Sequence, residues 1–309
     1  MARREEFFKM SDGQEVFAAI YEPKRTPVRG HVHILHGMAE HCGRYDTYAE
    51  VLAEIGYFVS LHDHRGHGKT VDRGGQLGFF GEKKGFDRVV KDVFEVTQLI
   101  RKDRDLPPMI LFGHSMGSFI ARRYAQLFSS TIKALILCGT GSATPMHQVG
   151  NRVANMLAWT KGKQAPSEFM SEMSFGSFNK SILHPNTAYD WLSRDPGAVQ
   201  DYIEDPKCGF TPTNQFFADL TYGIQLVGKP SENARIRHDL PVLLISGSAD
   251  PVGDYSKGVF KAAEQLREAG LENVCVHIFE GLRHEILNET NKEQVYEVII
   301  RWLKHEQTI

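Results

Sequence analysis

The stretch Leu111-Phe112-Gly113-His114-Ser115-Met116-Gly117 sets a serine between a strand pattern and a helix pattern. Residues 113–117 match Gly-x-Ser-x-Gly, which is typical of a strained strand-to-helix turn that exposes the serine hydroxyl. The apolar run Met109–Phe112 predicts a short buried strand before this turn. A helix is predicted after it, because apolar residues recur at helical spacing at Phe119, Ala121, Tyr124, Ala125 and Phe128. Gly113 and Gly117 fit a turn in which backbone segments approach too closely for a Cβ.

Length and composition describe an ordinary globular chain. Its 309 residues suffice for one large α/β domain with an insertion, or for two modest domains. Charged residues make up 24% and hydrophobic residues 41%, and the net charge is −2. This balance does not favour a polyanionic partner, and the absence of a Lys/Arg run argues against nucleic-acid binding. No uninterrupted apolar run approaches the roughly 20 residues needed to cross a bilayer.

The spacing of the cysteines and histidines indicates the cellular compartment and whether a metal site is expected. The four cysteines lie far apart, at Cys42, Cys138, Cys208 and Cys275. Without a Cys-x-x-Cys pair, they argue against a zinc site or a disulfide framework and fit a reducing cytosol. No apolar segment follows Arg3-Arg4, so we predict no signal peptide. The 14 histidines include no His-Glu-x-x-His. We therefore expect a cytoplasmic protein with no metal.

Strand and helix patterns alternate along most of the chain, which predicts βαβ units and a largely parallel sheet. A β-hairpin around Ser11-Asp12-Gly13 opens the chain. The alternation stops between about Ser142 and Asp239, where helical patterns occur without a strong strand. We predict a core from 1–141 and 240–309, with a helical cap inserted at 142–239.

A serine nucleophile needs a base, usually a histidine that a carboxylate orients. In α/β hydrolases the three residues occur in the order serine, acid, histidine. Asp250 follows the predicted strand Val242–Ile245, with Asp254 as the competing acid; alternatively, Asp250 is a turn residue that caps the next helix. His284 follows the last predicted strand and is the candidate base. His277 lies inside that strand, so we expect it to point into the sheet layers and to be structural.

Two backbone amides are expected to bind the oxyanion of the reaction. One belongs to Met116, the residue after the candidate nucleophile. The other belongs to Met38, in the loop after the strand His31–Leu35. His36 and Gly37 permit a close backbone approach there, although Gly37 has the alternative role of ending the strand. Because the donors are amides, the side chains of the two methionines test this assignment poorly.

Five ordered motifs resemble those of one family. They are His36–Tyr45 (HGxxEHxxRY), Asp63–Gly68 (DxRGHG, with Thr70 where serine is frequent), Gly113–Gly117 (GHSMG), Asp250–Gly253 and Arg283–Glu289. Together they are similar to the monoacylglycerol lipase and lysophospholipase group of α/β hydrolases, across residues 5–140 and 240–305. Residues 205–210 of the cap resemble bacterial members.

The resemblance implies an α/β-hydrolase fold, with a mostly parallel eight-stranded sheet flanked by helices and a helical cap. It also implies a Ser115, Asp250 and His284 triad. Around the triad, we expect Glu40, His41 and Arg44 to hold the oxyanion loop, with direct substrate contact as the alternative. His36, Gly37, Gly113, His114 and Gly117 complete this support. His62, His64 and His67 fit a hydrogen-bonded loop scaffold better than a metal site. Gly68-Lys69-Thr70 is not a phosphate-binding loop, because that motif needs glycine at Asp63.

The sequence thus predicts a serine hydrolase of carboxylic esters, most plausibly monoacylglycerols or lysophospholipids, without metal or organic cofactor. The Met- and Phe-rich cap predicts an apolar acyl tunnel, or alternatively forms only its own core. An aminopeptidase on the same fold would need an acidic cap cluster, for which Glu204 and Asp205 are weak candidates. A non-catalytic ligand-binding protein is the third hypothesis. Transient contact of the cap with a membrane surface and the oligomeric state are left open.

Overall fold

The computed structural model describes the backbone of residues 3–308 and the side chains of residues 3–305. One sheet organises it, with the strands β1 (Arg3–Lys9), β2 (Glu15–Tyr21), β3 (His31–Leu35), β4 (Phe58–His62), β5 (Met109–His114), β6 (Ile132–Cys138), β7 (Val242–Gly247) and β8 (Val274–Phe279). The spatial order is β1-β2-β4-β3-β5-β6-β7-β8. The pairs β1–β2 and β2–β4 are antiparallel, and the other five are parallel. The predicted hairpin and mostly parallel eight-stranded sheet are confirmed.

Helices cover both faces of the sheet. They are α1 (Asp46–Glu54), α2 (Gly85–Arg101), α3 (Met116–Phe128), α4 (Pro145–Lys161), α5 (Glu168–Phe175), α6 (Pro196–Glu204), α7 (Asn214–Val227), α8 (Pro230–Asn233), α9 (Lys257–Glu268) and α10 (Lys292–Thr308). Helices α2, α3, α7 and α9 bury apolar side chains on the face that holds Leu111. Helices α1 and α10 cover the opposite face, with Ile110 and Phe112. This alternation along β5 follows from the two-residue side-chain period of a strand.

The segment between β6 and β7, called here the β6–β7 segment (139–241), contains α4 to α8. Within residues 3–308, it contributes no strand to the sheet, and its only β-bridge joins Pro166 and Thr213. Helix α7 packs against α3 and α2, and Phe216 and Phe217 are buried in the main core. Helix α4 packs along α7 but leaves Trp159 85% exposed. The predicted division into core and cap stays a prediction.

His277 departs from the expectation. Strand β8 is the edge of the sheet, and Val274, Val276 and Ile278 on one face contact the main core, whereas Cys275 and His277 on the other face are exposed. The His277 ring lies 4.4 Å from the ring of Phe279, which is two residues further along the same face and is buried. The prediction that His277 points into the sheet layers was wrong, because nothing in the local sequence indicated which face of this edge strand is covered. Among the described residues, no helix is both long and apolar enough to cross a membrane.

Candidate active site

Ser115 occupies the turn between β5 and α3 in a strained conformation, with φ 52° and ψ −120°. A Cβ on Gly113 would overlap the carbonyl oxygen of Gly117, and a Cβ on Gly117 would overlap that of Leu35. Only glycine therefore fits at these two positions. The amide of Ser115 donates to the Cys138 carbonyl at 2.9 Å, which ties the turn to β6. The predicted strand, strained turn and helix are all present.

The structure brings Asp250 and His284 together at the carboxyl end of the sheet. The Nδ1–H of His284 donates to Asp250 Oδ2 at 3.0 Å, and both side chains are buried. Asp250 also accepts from Ser246 Oγ at 3.0 Å and from the Val252 amide at 2.9 Å. Asp254, the competing acid, is exposed and has φ 48°. Asp250 therefore holds the imidazole, and its polar contacts fix the carboxylate in turn.

The negative charge of Asp250 and the positive charge of protonated His284 stabilise each other. Burial acts to raise the pKa of Asp250, but the nearby His284 and the hydrogen bonds outweigh it and lower that pKa. Burial likewise acts to lower the pKa of His284, and the Asp250 charge and hydrogen bond raise it above 6.5. The neighbouring His114, 4.6 Å away between ring centroids, has its pKa lowered by burial to about 3. His114 is thus neutral beside an imidazole that gains a proton more readily.

The loop after β3 lies directly against Ser115. A Cβ on Gly37 would lie 3.2 Å from the Ser115 Cβ and 2.6 Å from Glu40 Oε1, so a side chain at this position would displace the Glu40 carboxylate. The Gly37 amide donates to Glu40 Oε1, which also accepts from the Tyr45 hydroxyl at 2.8 Å. His36 Nδ1–H donates to the Gly37 carbonyl at 2.7 Å. The loop that carries Met38 is thus held by hydrogen bonds on both sides.

Arg44 joins this loop to the histidine loop. Its guanidinium donates to both oxygens of Glu285, the residue after His284, and to Glu40 Oε2 at 3.1 Å. Burial and the Glu285 charge raise the pKa of Glu40, whereas Arg44 overcomes burial and lowers the pKa of Glu285. Sequence reasoning placed Arg44 in the support of the oxyanion loop but missed its pairing with Glu285, 241 positions away.

His41 faces the β6–β7 segment. Its Nε2–H donates to Asp205 Oδ2 at 2.8 Å, and its Nδ1 accepts from the Gly43 amide. Cys208 completes a group whose potential ligand atoms all lie within 4.8 Å of one another, the one such group among the described residues. The residues are too far apart in the sequence for spacing to reveal the group.

The β6–β7 segment also supports the histidine loop. The amides of His284 and Glu285 donate to the carbonyls of Trp191 and Leu192, at 3.3 and 2.7 Å. Arg283 Nη1 donates to the Asp190 carbonyl at 2.7 Å. The Trp191 ring lies 5.2 Å from the His284 ring. No motif or periodicity singled out residues 190–192, so sequence reasoning missed this support.

Histidines form a buried scaffold beneath the loops. His33 Nε2 lies 2.9 Å from His62 Nδ1, and His62 Nε2 lies 3.1 Å from His64 Nδ1. The His64 amide donates to His36 Nε2 at 3.0 Å. His67 Nδ1–H donates to the Arg65 carbonyl at 3.1 Å. These contacts agree with the predicted hydrogen-bonded scaffold, and burial lowers the pKa of each of the five rings.

Two cavities meet at Ser115, and Met38 and Phe175 line both. The His284 cavity, of about 270 Å³, is lined by His284 together with carboxylate and aromatic side chains. The Met116 cavity, of about 440 Å³, is mainly apolar and is lined by Met116, Phe119, Met170, Phe217, Leu220 and Ile224. Met and Phe side chains of the β6–β7 segment therefore line a space that leads to Ser115.

Comparison with known proteins identifies the family. The family described as serine aminopeptidase, S33, matches residues 26–291. The chain belongs to this family. Its curated relatives include lipases: the chain is 29% identical over 312 residues to monoglyceride lipase of Mus musculus, covering 96% of this chain and 88% of the relative. It is 28% identical to monoacylglycerol lipase of Mycolicibacterium smegmatis, covering 97% of both.

Solved structures of the same fold include relatives of similar length. The thermostable carboxyl esterase from Bacillus coagulans, solved with glycerol, has a TM-score of 0.92 and 32% identity over 99% of both chains. These matches confirm the α/β-hydrolase fold and the resemblance of this S33 family member to the monoacylglycerol lipase group.

Proposed function

We propose that this chain hydrolyses carboxylic esters through an acyl-enzyme, with monoacylglycerols or lysophospholipids as substrates. The observation that carries the proposal is the buried Asp250–His284 pair beside a strained Ser115, at the junction of two cavities. The lipase and esterase relatives of the family support the same reaction class.

The proposed reaction uses residues of this chain alone. Ser115 Oγ attacks the ester carbonyl while His284 takes the hydroxyl proton, and the amides of Met38 and Met116 stabilise the oxyanion. The amide of Met116 is the first of α3, where amides have no acceptor within the helix. The bond to the alcohol then breaks, and His284 returns the proton to the departing oxygen. Water hydrolyses the acyl-enzyme with the same base.

The two cavities receive the two halves of the ester. His284 must protonate the leaving oxygen, and it lines only the His284 cavity, so the alcohol occupies that cavity. The acyl chain occupies the Met116 cavity, whose apolar side chains suit a hydrocarbon. In this proposal, residues 142–239 act as a cap that completes both cavities.

The decisive experiment measures fatty-acid release from a medium-chain 1-monoacylglycerol by the wild type and by Ser115→Ala. We expect turnover that falls by a factor of about 10⁶ in the variant, because the nucleophile is lost. Retained turnover in a folded variant would contradict the assignment of Ser115. If the wild type reacts with a fluorophosphonate at Ser115 but releases no fatty acid, the assignment of Ser115 as nucleophile would stand and the proposed substrate class would be refuted.

Peptide hydrolysis, which the family description suggests, is less well supported. A substrate with a free α-amino group would carry it on the acyl side, where the Met116 cavity is lined by one acid, Asp254, and two cations, Lys257 and Lys261. The acidic candidates Glu204 and Asp205 line neither cavity; Glu204 accepts from Gln200, and Asp205 from His41. The acyl side is therefore poorly suited to an ammonium group.

A further inference from the structure

The two cavities at Ser115 differ in charge. Four carboxylates, Glu40, Glu168, Glu172 and Glu285, line the His284 cavity, and no Lys or Arg among the described residues does so. Arg44, behind the wall, donates to both Glu40 and Glu285, and its single charge balances one of these two carboxylates. The cavity therefore carries unbalanced negative charge, most of which comes from Glu168 and Glu172.

Glu168 and Glu172 present their charge together. They are four residues apart in α5, which places them on one helix face. Both residues are exposed, and neither carboxylate has an ion-pair partner within 4 Å in the described part of the chain. The α5 wall of the cavity can therefore attract a cation without first breaking an existing pair.

Aromatic rings form much of the remaining wall. The rings that line the His284 cavity belong to Phe175, Tyr189, Trp191, Tyr202 and Phe210. One of them already faces a cation, because the Arg44 guanidinium lies 4.9 Å from the centre of the Tyr202 ring. Aromatic faces attract organic cations through the ring quadrupole, and several rings together are a recurrent means of binding quaternary ammonium groups.

We propose that the His284 cavity selects alcohols that carry a positive charge, so that the protein hydrolyses fatty-acyl esters of choline-like amino alcohols in preference to neutral isosteres. This inference rests on the proposed function, which places the departing alcohol in this cavity. Ser115 Oγ forms the bond to the acyl carbon, the acyl–oxygen bond to the amino alcohol breaks, and the alcohol oxygen leaves with the proton from His284. Water then releases the fatty acid and restores Ser115.

The test compares decanoylcholine with 3,3-dimethylbutyl decanoate, in which carbon replaces the ammonium nitrogen. The shapes match, but the ammonium group also makes choline a better leaving group. The ratio of the two kcat/KM values is therefore divided by the ratio of the rates of hydrolysis of the two esters by hydroxide, so that it reports recognition of the charge by the cavity. We expect a ratio of about ten at low ionic strength, from the carboxylates and rings together. The ratio should fall towards one between about 0.01 and 1 M salt, where the screening length shrinks from about 30 to about 3 Å.

Variants separate the carboxylates from general charge effects. The double substitution Glu168→Gln, Glu172→Gln is expected to lower the ratio at least about threefold, because it removes most of the unbalanced negative charge. The matched control is Glu264→Gln, Glu268→Gln, which removes two exposed carboxylates at the same spacing on α9, away from the cavity. It should leave the ratio within about twofold of the wild-type value. Circular dichroism and thermal unfolding verify that both proteins are folded.

The outcomes distinguish this inference from the proposed function. Equal kcat/KM values for the two decanoate esters after division by the hydroxide rates, or a ratio that is insensitive to the α5 substitutions, would overturn charge selection and leave ester hydrolysis standing. Failure of folded wild-type protein to hydrolyse either ester, or a monoacylglycerol, would overturn both. A preference for decanoylcholine that depends on Glu168 and Glu172 would support both.

Discussion

At the residue scale, two opposing effects determine the pKa of His284. Its side chain is only 2% exposed, and burial alone would favour the neutral ring. The Asp250 carboxylate, 3.0 Å from Nδ1, favours the charged ring more strongly. In the free protein, the pKa of His284 therefore lies above 6.5. Below that pKa the ring is protonated and cannot act as the proposed base.

The pH dependence of ester hydrolysis follows from this balance. Because neutral His284 is the active form in the proposed reaction, kcat/KM is expected to fall as the pH decreases through a value above 6.5. Asp250→Asn removes the charge that raises this pKa, so the acidic limb should move to lower pH while the rate falls by about 10⁴. A pH–rate profile of both proteins with a short ester measures the shift. An unchanged limb in the variant would contradict electrostatic control by Asp250.

The triad candidates could be predicted from the sequence because each lies in a loop directly after a strand. Order along the chain then selected Asp250 and His284 from many acids and 14 histidines. The contacts of Glu285 with Arg44 and Leu192 could not be predicted, because they join positions that only the folded sheet brings together. His277 was misplaced because alternation along a strand does not reveal which face is exposed.

At the element scale, the tight turn between β5 and α3 depends on two glycines. The carbonyl oxygens that a Cβ would overlap at Gly113 and Gly117 belong to the backbone, which cannot rotate away as a side chain can. Gly150, within α4, differs. A Cβ there would meet only ordinary contacts, 3.6 Å or more from side-chain atoms of Met173, Thr221 and Met170. The same substitution should therefore have opposite effects in the two helices.

Gly117→Ala is expected to destabilise the protein by at least about 2 kcal/mol, because backbone must shift to admit the methyl group. Gly150→Ala, the matched control, should stabilise it by about 0.5–1 kcal/mol, the difference in helix propensity. Urea unfolding of the two variants measures both changes. Equal effects of the two substitutions would show that close approach at Gly117 is not the constraint.

The apolar walls of the Met116 cavity predict a dependence on acyl length. Leu220 is half-buried in α7 and lines this cavity, so Leu220→Trp should shorten the available space. We expect kcat/KM for a long-chain monoacylglycerol to fall about tenfold or more, with a change below about threefold for a short-chain one. Leu99→Trp, at an exposed position of α2, is the control. A uniform loss at all chain lengths would argue against an acyl site in this cavity.

At the scale of the whole molecule, the β6–β7 segment is connected to the catalytic machinery by more than the sheet. Glu289 is fully buried and accepts hydrogen bonds from the Arg283 amide at 3.0 Å and from Arg194 Nε at 3.0 Å. It therefore links the histidine loop to residues that follow Trp191 and Leu192. The sequence indicated a helical insertion, but its contacts with the core depend on irregular loops that have no period to recognise.

Glu289→Gln tests this link. Glutamine keeps the shape but loses the charge that attracts Arg194, so the histidine loop should be held less firmly. We expect kcat for a short ester, which does not need the full acyl site, to fall about tenfold, with stability reduced by about 2 kcal/mol. Glu280→Gln, exposed in the same loop, is the control. Wild-type kcat in Glu289→Gln would show that the link does not position His284.

The hydrogen bonds from His284 and Glu285 to the carbonyls of Trp191 and Leu192 restrict how this enzyme can be recombined with its relatives. Helices α4 and α5 make none of these bonds, so a chimera could exchange 145–175 and keep the histidine loop intact. A graft of the complete segment from another hydrolase would also have to supply two carbonyls at the same places. We therefore expect new substrate preferences to be easiest to introduce through α4 and α5, whereas residues 190–194 and the loop of His284 would have to be exchanged together.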